Sequence, residues 1–179
     1  MARMNSESYS ISISAMMGSL TLLFLYLAAI LPTAKLSMYA ISSLFTVPIC
    51  IEKRTGFAFM MFIAVSLLSL LILPNIAVGI PYFLFFGHYG IAKFHIENMK
   101  DKALAFAIKL AYFNILIIAA YFIAKNTLLV GIPDILKDNV WALVVAAQIA
   151  FIAYDFIYSK FAEMYNVRFR PYLIKRGRR

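Results

Sequence analysis

The chain has 179 residues, 64% of them apolar and only 14% charged, and its mean hydropathy is +0.85. A soluble domain is near half apolar and about a quarter charged, so a soluble enzyme and a disordered tail are excluded, and the single Cys50 excludes a disulfide-stapled secreted domain. The net charge of +9 does not point to nucleic acid, because nearly all 17 Lys and Arg flank apolar runs, as they do at a membrane surface.

These features predict an all-α, polytopic membrane protein. A helix needs roughly 20 residues to cross about 30 Å of hydrocarbon. Six segments approach that length, at 11–31, 36–51, 55–73, 76–96, 103–124 and 140–161, forming one six-helix membrane domain over 1–179.

The first segment opens with small residues. Ser14/Gly18 and Ala15/Ser19 are small-x-x-x-small pairs, which let a second helix approach closely and mark a partner-docking face. Its 21 apolar or small residues exceed the 7–15 of a signal-peptide core, so it reads as a retained span. Pro32-Thr33 ends it. The second segment has only 16 residues and carries Pro48, which predicts a short, kinked or tilted helix. The charges Glu52-Lys53-Arg54 close it, and Pro74-Asn75 turns the chain after the third.

In the fourth segment Gly87-His88-Tyr89-Gly90 interrupts the apolar run. One reading is a helix unwound at a binding site; the other is two packing notches beside a buried, hydrogen-bonded His88. His88 and His95 are seven residues apart, about 10.5 Å along the axis, too far to share a metal ion. On the fifth segment Asn114 and Tyr121 share a face. On the sixth, Trp141, Gln148, Asp155 and Tyr158/Ser159 form a polar stripe that must face the interior rather than lipid. Such groups either line a pocket or proton path, or hold helices together by hydrogen bonds. Lys109 lies at a depth similar to Asp155, so it either pairs with it or snorkels to the headgroups, and snorkelling is the expectation. Residues 162–179 form a basic cytoplasmic tail, in which Arg168, Arg170, Lys175, Arg176, Arg178 and Arg179 anchor to anionic lipid.

With the N-terminus cytoplasmic, fourteen basic residues fall inside and three outside (Lys35, Lys125, Lys137). That asymmetry predicts six spans with both ends cytoplasmic. The phosphate-loop, H-E-x-x-H and G-x-S-x-G signatures are absent. The carboxylate pairs Glu97/Asp101 and Asp134/Asp138 lie at rims with Lys neighbours, so neither an enzyme nor a cofactor or metal site is expected.

The length, the six segments and the small-residue opening resemble the substrate-specificity (S) subunit of energy-coupling-factor transporters. In that family an A-x-x-x-A motif on the first helix contacts a transmembrane coupling subunit; here the matching positions are Ala15 and Ser19, so the second alanine is replaced. Residues 26–45, with Leu31-Pro32-Thr33-Ala34-Lys35-Leu36, and residues 83–93, with Phe85-Phe86-Gly87-His88-Tyr89, are also similar to the uncharacterised YybS-like bacterial membrane proteins. The resemblance implies a bacterial cytoplasmic membrane, a vitamin-sized substrate, and a coupling subunit with two separate ATPases. It implies a pocket under the outer loops built from Lys35, Tyr39, Tyr121, Trp141 and Gln148, with Asp155 serving coupling or structure. The competing expectation is a non-transporting envelope scaffold similar to the rod-shape protein MreD, which shares this fold. A proton-coupled carrier that titrates Asp155 is the third.

Overall fold

The computed structural model describes residues 2–31, 33–52, 54–126 and 140–170. Among these the chain is helical throughout, with no strand. The helices are α1 (Ala2–Ile30), α2 (Lys35–Leu44), α3 (Val47–Ile51), α4 (Thr55–Ile72), α5 (Ile76–Pro81), α6 (Gly87–Glu97), α7 (Lys102–Asn126) and α8 (Val140–Met164). A π-helical turn, Tyr82–Phe86, joins α5 to α6, and a second, Tyr165–Phe169, extends α8. Four stretches are long and apolar enough to cross a membrane: Glu7–Ile30, Thr55–Ile72, Lys102–Ala120 and Val144–Arg168. Within the length read as one domain, the chain packs as two compact units: Met1–Asn98 with Phe161–Arg179, and Met99–Lys160.

The helix limits have local causes. The second segment breaks at Phe45-Thr46, just before Pro48, which sits in the first turn of α3 where its missing N–H leaves no gap. The Asn75 side chain caps α5 by accepting from the Ala77 N–H at 2.9 Å. Asp101 Oδ1 does the same for α7, accepting from Ala103 at 2.9 Å and Leu104 at 3.3 Å. The small or polar residues before residue 11 do not delay α1, which starts at Ala2. At the other end the helix runs past Phe161, where a tail was expected.

In the first unit α1 packs against α2 and α4. Its inward line is Ser10, Gly18, Thr21, Leu25 and Ala28, while Ile11, Met16, Leu23, Tyr26 and Ile30 point outward. Small and polar residues thus face the protein, and large apolar ones face its surroundings. A water-soluble helix shows the reverse. The same inversion appears on α4, where Ser66 and Ser69 are buried while Leu67, Leu70 and the 82% exposed Leu71 face outward. Buried hydroxyls are satisfied locally. Thr21 Oγ1 donates to Met17 O at 2.8 Å and reaches Ser42 O on α2 at 3.4 Å, and Ser69 Oγ donates to Ser66 O at 2.7 Å.

The second unit contains α7 and the part of α8 up to Lys160. Ile115, Ile118 and Phe122 of α7, and Val145, Ile149, Ile152, Phe156 and Ile157 of α8, are exposed. Phe113 and Phe151 stack between the two helices, their ring centroids 4.2 Å apart.

Candidate functional site

The polar side chains of α7 and α8 meet one another. Lys109 Nζ donates to Asp155 Oδ2 at 2.8 Å, with Lys109 only 8% exposed. This corrects the snorkelling expectation: the ammonium turns to a carboxylate on the facing helix rather than to the headgroups. One turn away, Gln148 Nε2 donates to Asn114 Oδ1 at 2.7 Å, and Asn114 Nδ2 donates to its own helix at Leu110 O, 2.8 Å. Phe113 and Phe151 fill the space between the two polar pairs. On α8 the residues Gln148, Phe151, Asp155 and Tyr158 follow steps of three, four and three, which places them on one face. Each polar contact therefore fixes α7 and α8 in one register, since a one-turn slip would leave a charge and two amides without partners. Gln148 Oε1 is buried and meets no donor among the described residues.

The proposed pocket residues divide between the units. Lys35 is exposed at the first position of α2. Tyr39, one turn on, is 6% exposed; its hydroxyl donates to Val78 O at 2.7 Å and its ring stacks on Phe86 with centroids 5.6 Å apart. Its polar group is thus spent inside the fold. Gln148 belongs to the α7–α8 contact. Tyr121 and Trp141 are on α7 and α8, and their side chains lie outside the described residues.

The small-residue face of α1 also divides. Gly18 is buried against α4, where a Cβ would come 3.3 Å from Met61 Cγ and 3.5 Å from Val65 Cγ2. Ser14, one turn earlier on the same side, is partly buried with its Oγ enclosed. This pair serves packing within the unit rather than docking. Ala15 and Ser19 are exposed, and Ser19 Oγ donates back to Ala15 O at 2.9 Å, leaving a shallow surface with no unsatisfied hydroxyl.

Gly87 and Gly90 are both buried within α6, and the irregular turn lies just before them, at Tyr82–Phe86. His88 is half-buried, with its ring 5.6 Å from that of Phe62. His95 is exposed and contacts Ile91 O at 2.9 Å. Among the described residues no group of three metal-ligating side chains occurs.

Two contacts were not anticipated. Lys93, counted among the rim charges, is 2% exposed and pairs with Glu97 at 2.9 Å, an i,i+4 contact that the spacing alone would have offered. Arg170, expected at the lipid surface, lies 3.4 Å from Glu52 and bonds Asn166 at 3.2 Å, whereas Arg168 is exposed. No local pattern links Glu52 and Arg170, which stand 118 positions apart. Lys175, Arg176, Arg178 and Arg179, like Asp134 and Asp138, lie outside the described residues. No protein-family model, curated protein or solved structure matches the chain.

Proposed function

We propose that the chain is a multi-pass protein of the bacterial cytoplasmic membrane, with six spans, and that it serves as an S-component-like, substrate-binding subunit of an ATP-driven small-nutrient uptake transporter. The observation that supports this reading is the outward placement of Ala15 and Ser19 on α1. A helix that presents small residues to its surroundings, with the neighbouring hydroxyl folded back on its own backbone, offers a close-approach surface to another transmembrane helix. The residue pair singled out by the family resemblance is thus the pair left uncovered. The energy for transport comes from partner ATPases, and a vitamin-sized compound is the cargo class.

The scaffold reading draws support from Tyr39. A pocket residue should have a polar group to offer, and this one holds a backbone carbonyl and packs against Phe86.

Gentle affinity purification from the native host, followed by mass spectrometry of proteins and small molecules, separates the two. Recovery of a coupling subunit with ATPases, lost in the Ala15→Leu/Ser19→Leu variant while the protein still folds, supports the transport reading. Recovery of cell-wall or division proteins, unaffected by that variant, moves the assignment to the scaffold.

A further inference from the structure

The fourth apolar segment meets α4 through two glycines. A Cβ at Gly79 would lie 3.1 Å from Ser69 Oγ, and one at Gly87 would lie 2.5 Å from Phe62 Cδ2. The two seats on α4 are seven residues apart, but the glycines are eight apart. At 3.6 residues per turn, seven residues fall short of two full turns by about 20°, whereas eight overshoot by about 80°. An unbroken α-helix would seat one glycine on α4 and swing the other away. The π-turn Tyr82–Phe86 lies between them. Its i→i+5 bonding takes an extra residue into the turn, so eight residues do the work of seven.

The turn begins where a backbone bond is lost. Pro81 has no N–H, and the Tyr82 N–H bonds Gly79 O instead of Val78 O, its partner in a regular α-helix. Tyr39 Oη supplies the missing donor to Val78 O at 2.7 Å, and the Tyr39 ring stacks on Phe86 at the far end of the turn. One side chain of α2 therefore holds both ends. Working against this arrangement, Tyr82 is 0% exposed and its hydroxyl has no partner among the described residues, while the adjacent Phe83 is 58% exposed. Burying the phenol unpaired is unfavourable. Exposing a Phe to a lipid surround is not.

We propose that this segment is a register switch. The extra residue has more than one place to sit between Gly79 and Gly87, and the Tyr39 hydroxyl is the catch that selects the observed one. When the catch opens, the Tyr82 N–H returns to Val78 O and the aromatic run Tyr82–Phe86 rotates by about 100°. Both glycines keep their seats on α4. The inference goes beyond the transport reading and does not depend on it.

The test uses the full-length protein in detergent micelles, with amide hydrogen exchange read by mass spectrometry. Tyr39→Phe opens the catch, so exchange across 79–87 quickens about three- to tenfold, the effect of one hydrogen bond. Tyr82→Phe removes the unpaired hydroxyl and slows the same amides relative to the native protein. Deleting Leu84 leaves the glycines seven apart, so that variant folds, and in its background Tyr39→Phe changes nothing. Equal effects of Tyr39→Phe in both backgrounds, faster exchange confined to α2, or a Leu84 deletion that does not fold would each overturn the proposal.

Discussion

At the scale of single residues, the Lys109–Asp155 contact sets the largest energetic stake. A lone charge in hydrocarbon is costly, about 2.5–3.5 kcal/mol on insertion scales, while removing one partner of a buried pair typically costs about 3–5 kcal/mol. Lys109→Met or Asp155→Asn alone should therefore destabilise the second unit by about 3–5 kcal/mol. The double replacement Lys109→Met/Asp155→Leu should recover most of that loss, because it removes both desolvation penalties together. Unfolding by SDS titration in mixed micelles measures the three variants. If the single replacements prove neutral, the 2.8 Å contact is not what holds the helices.

At the scale of the helix, glycine positions separate packing from spacing. Gly87→Ala places a Cβ 2.5 Å from Phe62 Cδ2 and 2.9 Å from Tyr82 Cε1, whereas at Gly56 a Cβ meets nothing within 4 Å. Overpacking of that kind typically costs about 1–3 kcal/mol, and Ala in an open helical position gains a few tenths up to about 1 kcal/mol over Gly. Gly87→Ala should lower the thermal midpoint in detergent, and Gly56→Ala should leave it level or raise it. The sequence made the need for a close approach at Gly87 legible, because Gly87 and Gly90 stand out in an aromatic run. It did not place the π-turn, because that depends on an eight-against-seven register with α4, a property of two segments that no window within one reveals. The break in the second segment was legible from Pro48, a local cause. The Ser14/Gly18 and Ala15/Ser19 pairs were equally visible, but only the position of α4 tells which faces inward. Polar groups on α7 and α8 were legible as interior-facing. Lys109 was misjudged because a snorkelling lysine and a paired one have the same sequence, and the difference is a carboxylate 46 positions away.

At the scale of the whole molecule, the number of crossings decides where the ends lie, and the second segment decides the number. The apolar stretch Lys35–Ile51 is 17 residues or fewer in helix, about 26 Å at 1.5 Å per residue and so short of a 30 Å core. It is also broken into α2 and α3. A short span is tolerated by local thinning of the bilayer at a fraction of a kcal/mol per Å, a modest penalty against the cost of misplacing charge. If α2–α3 failed to cross, every later segment would invert. The basic residues of α6 and the C-terminal run Arg168–Arg179 would then lie outside, against the fourteen-to-three asymmetry that crossing preserves. Six crossings with both ends cytoplasmic are therefore expected. Single cysteines in a Cys50→Ala background, labelled in intact cells with a membrane-impermeant maleimide, test this directly. Cysteines at Lys35 and Lys137 should label at once, and cysteines at Arg3, Lys100 and Arg179 only after the membrane is permeabilised. Labelling of Arg179→Cys in intact cells while Arg3→Cys stays protected would mean five crossings, with the α2–α3 segment re-entrant and the outer loop at Lys35 returning to the side from which it came.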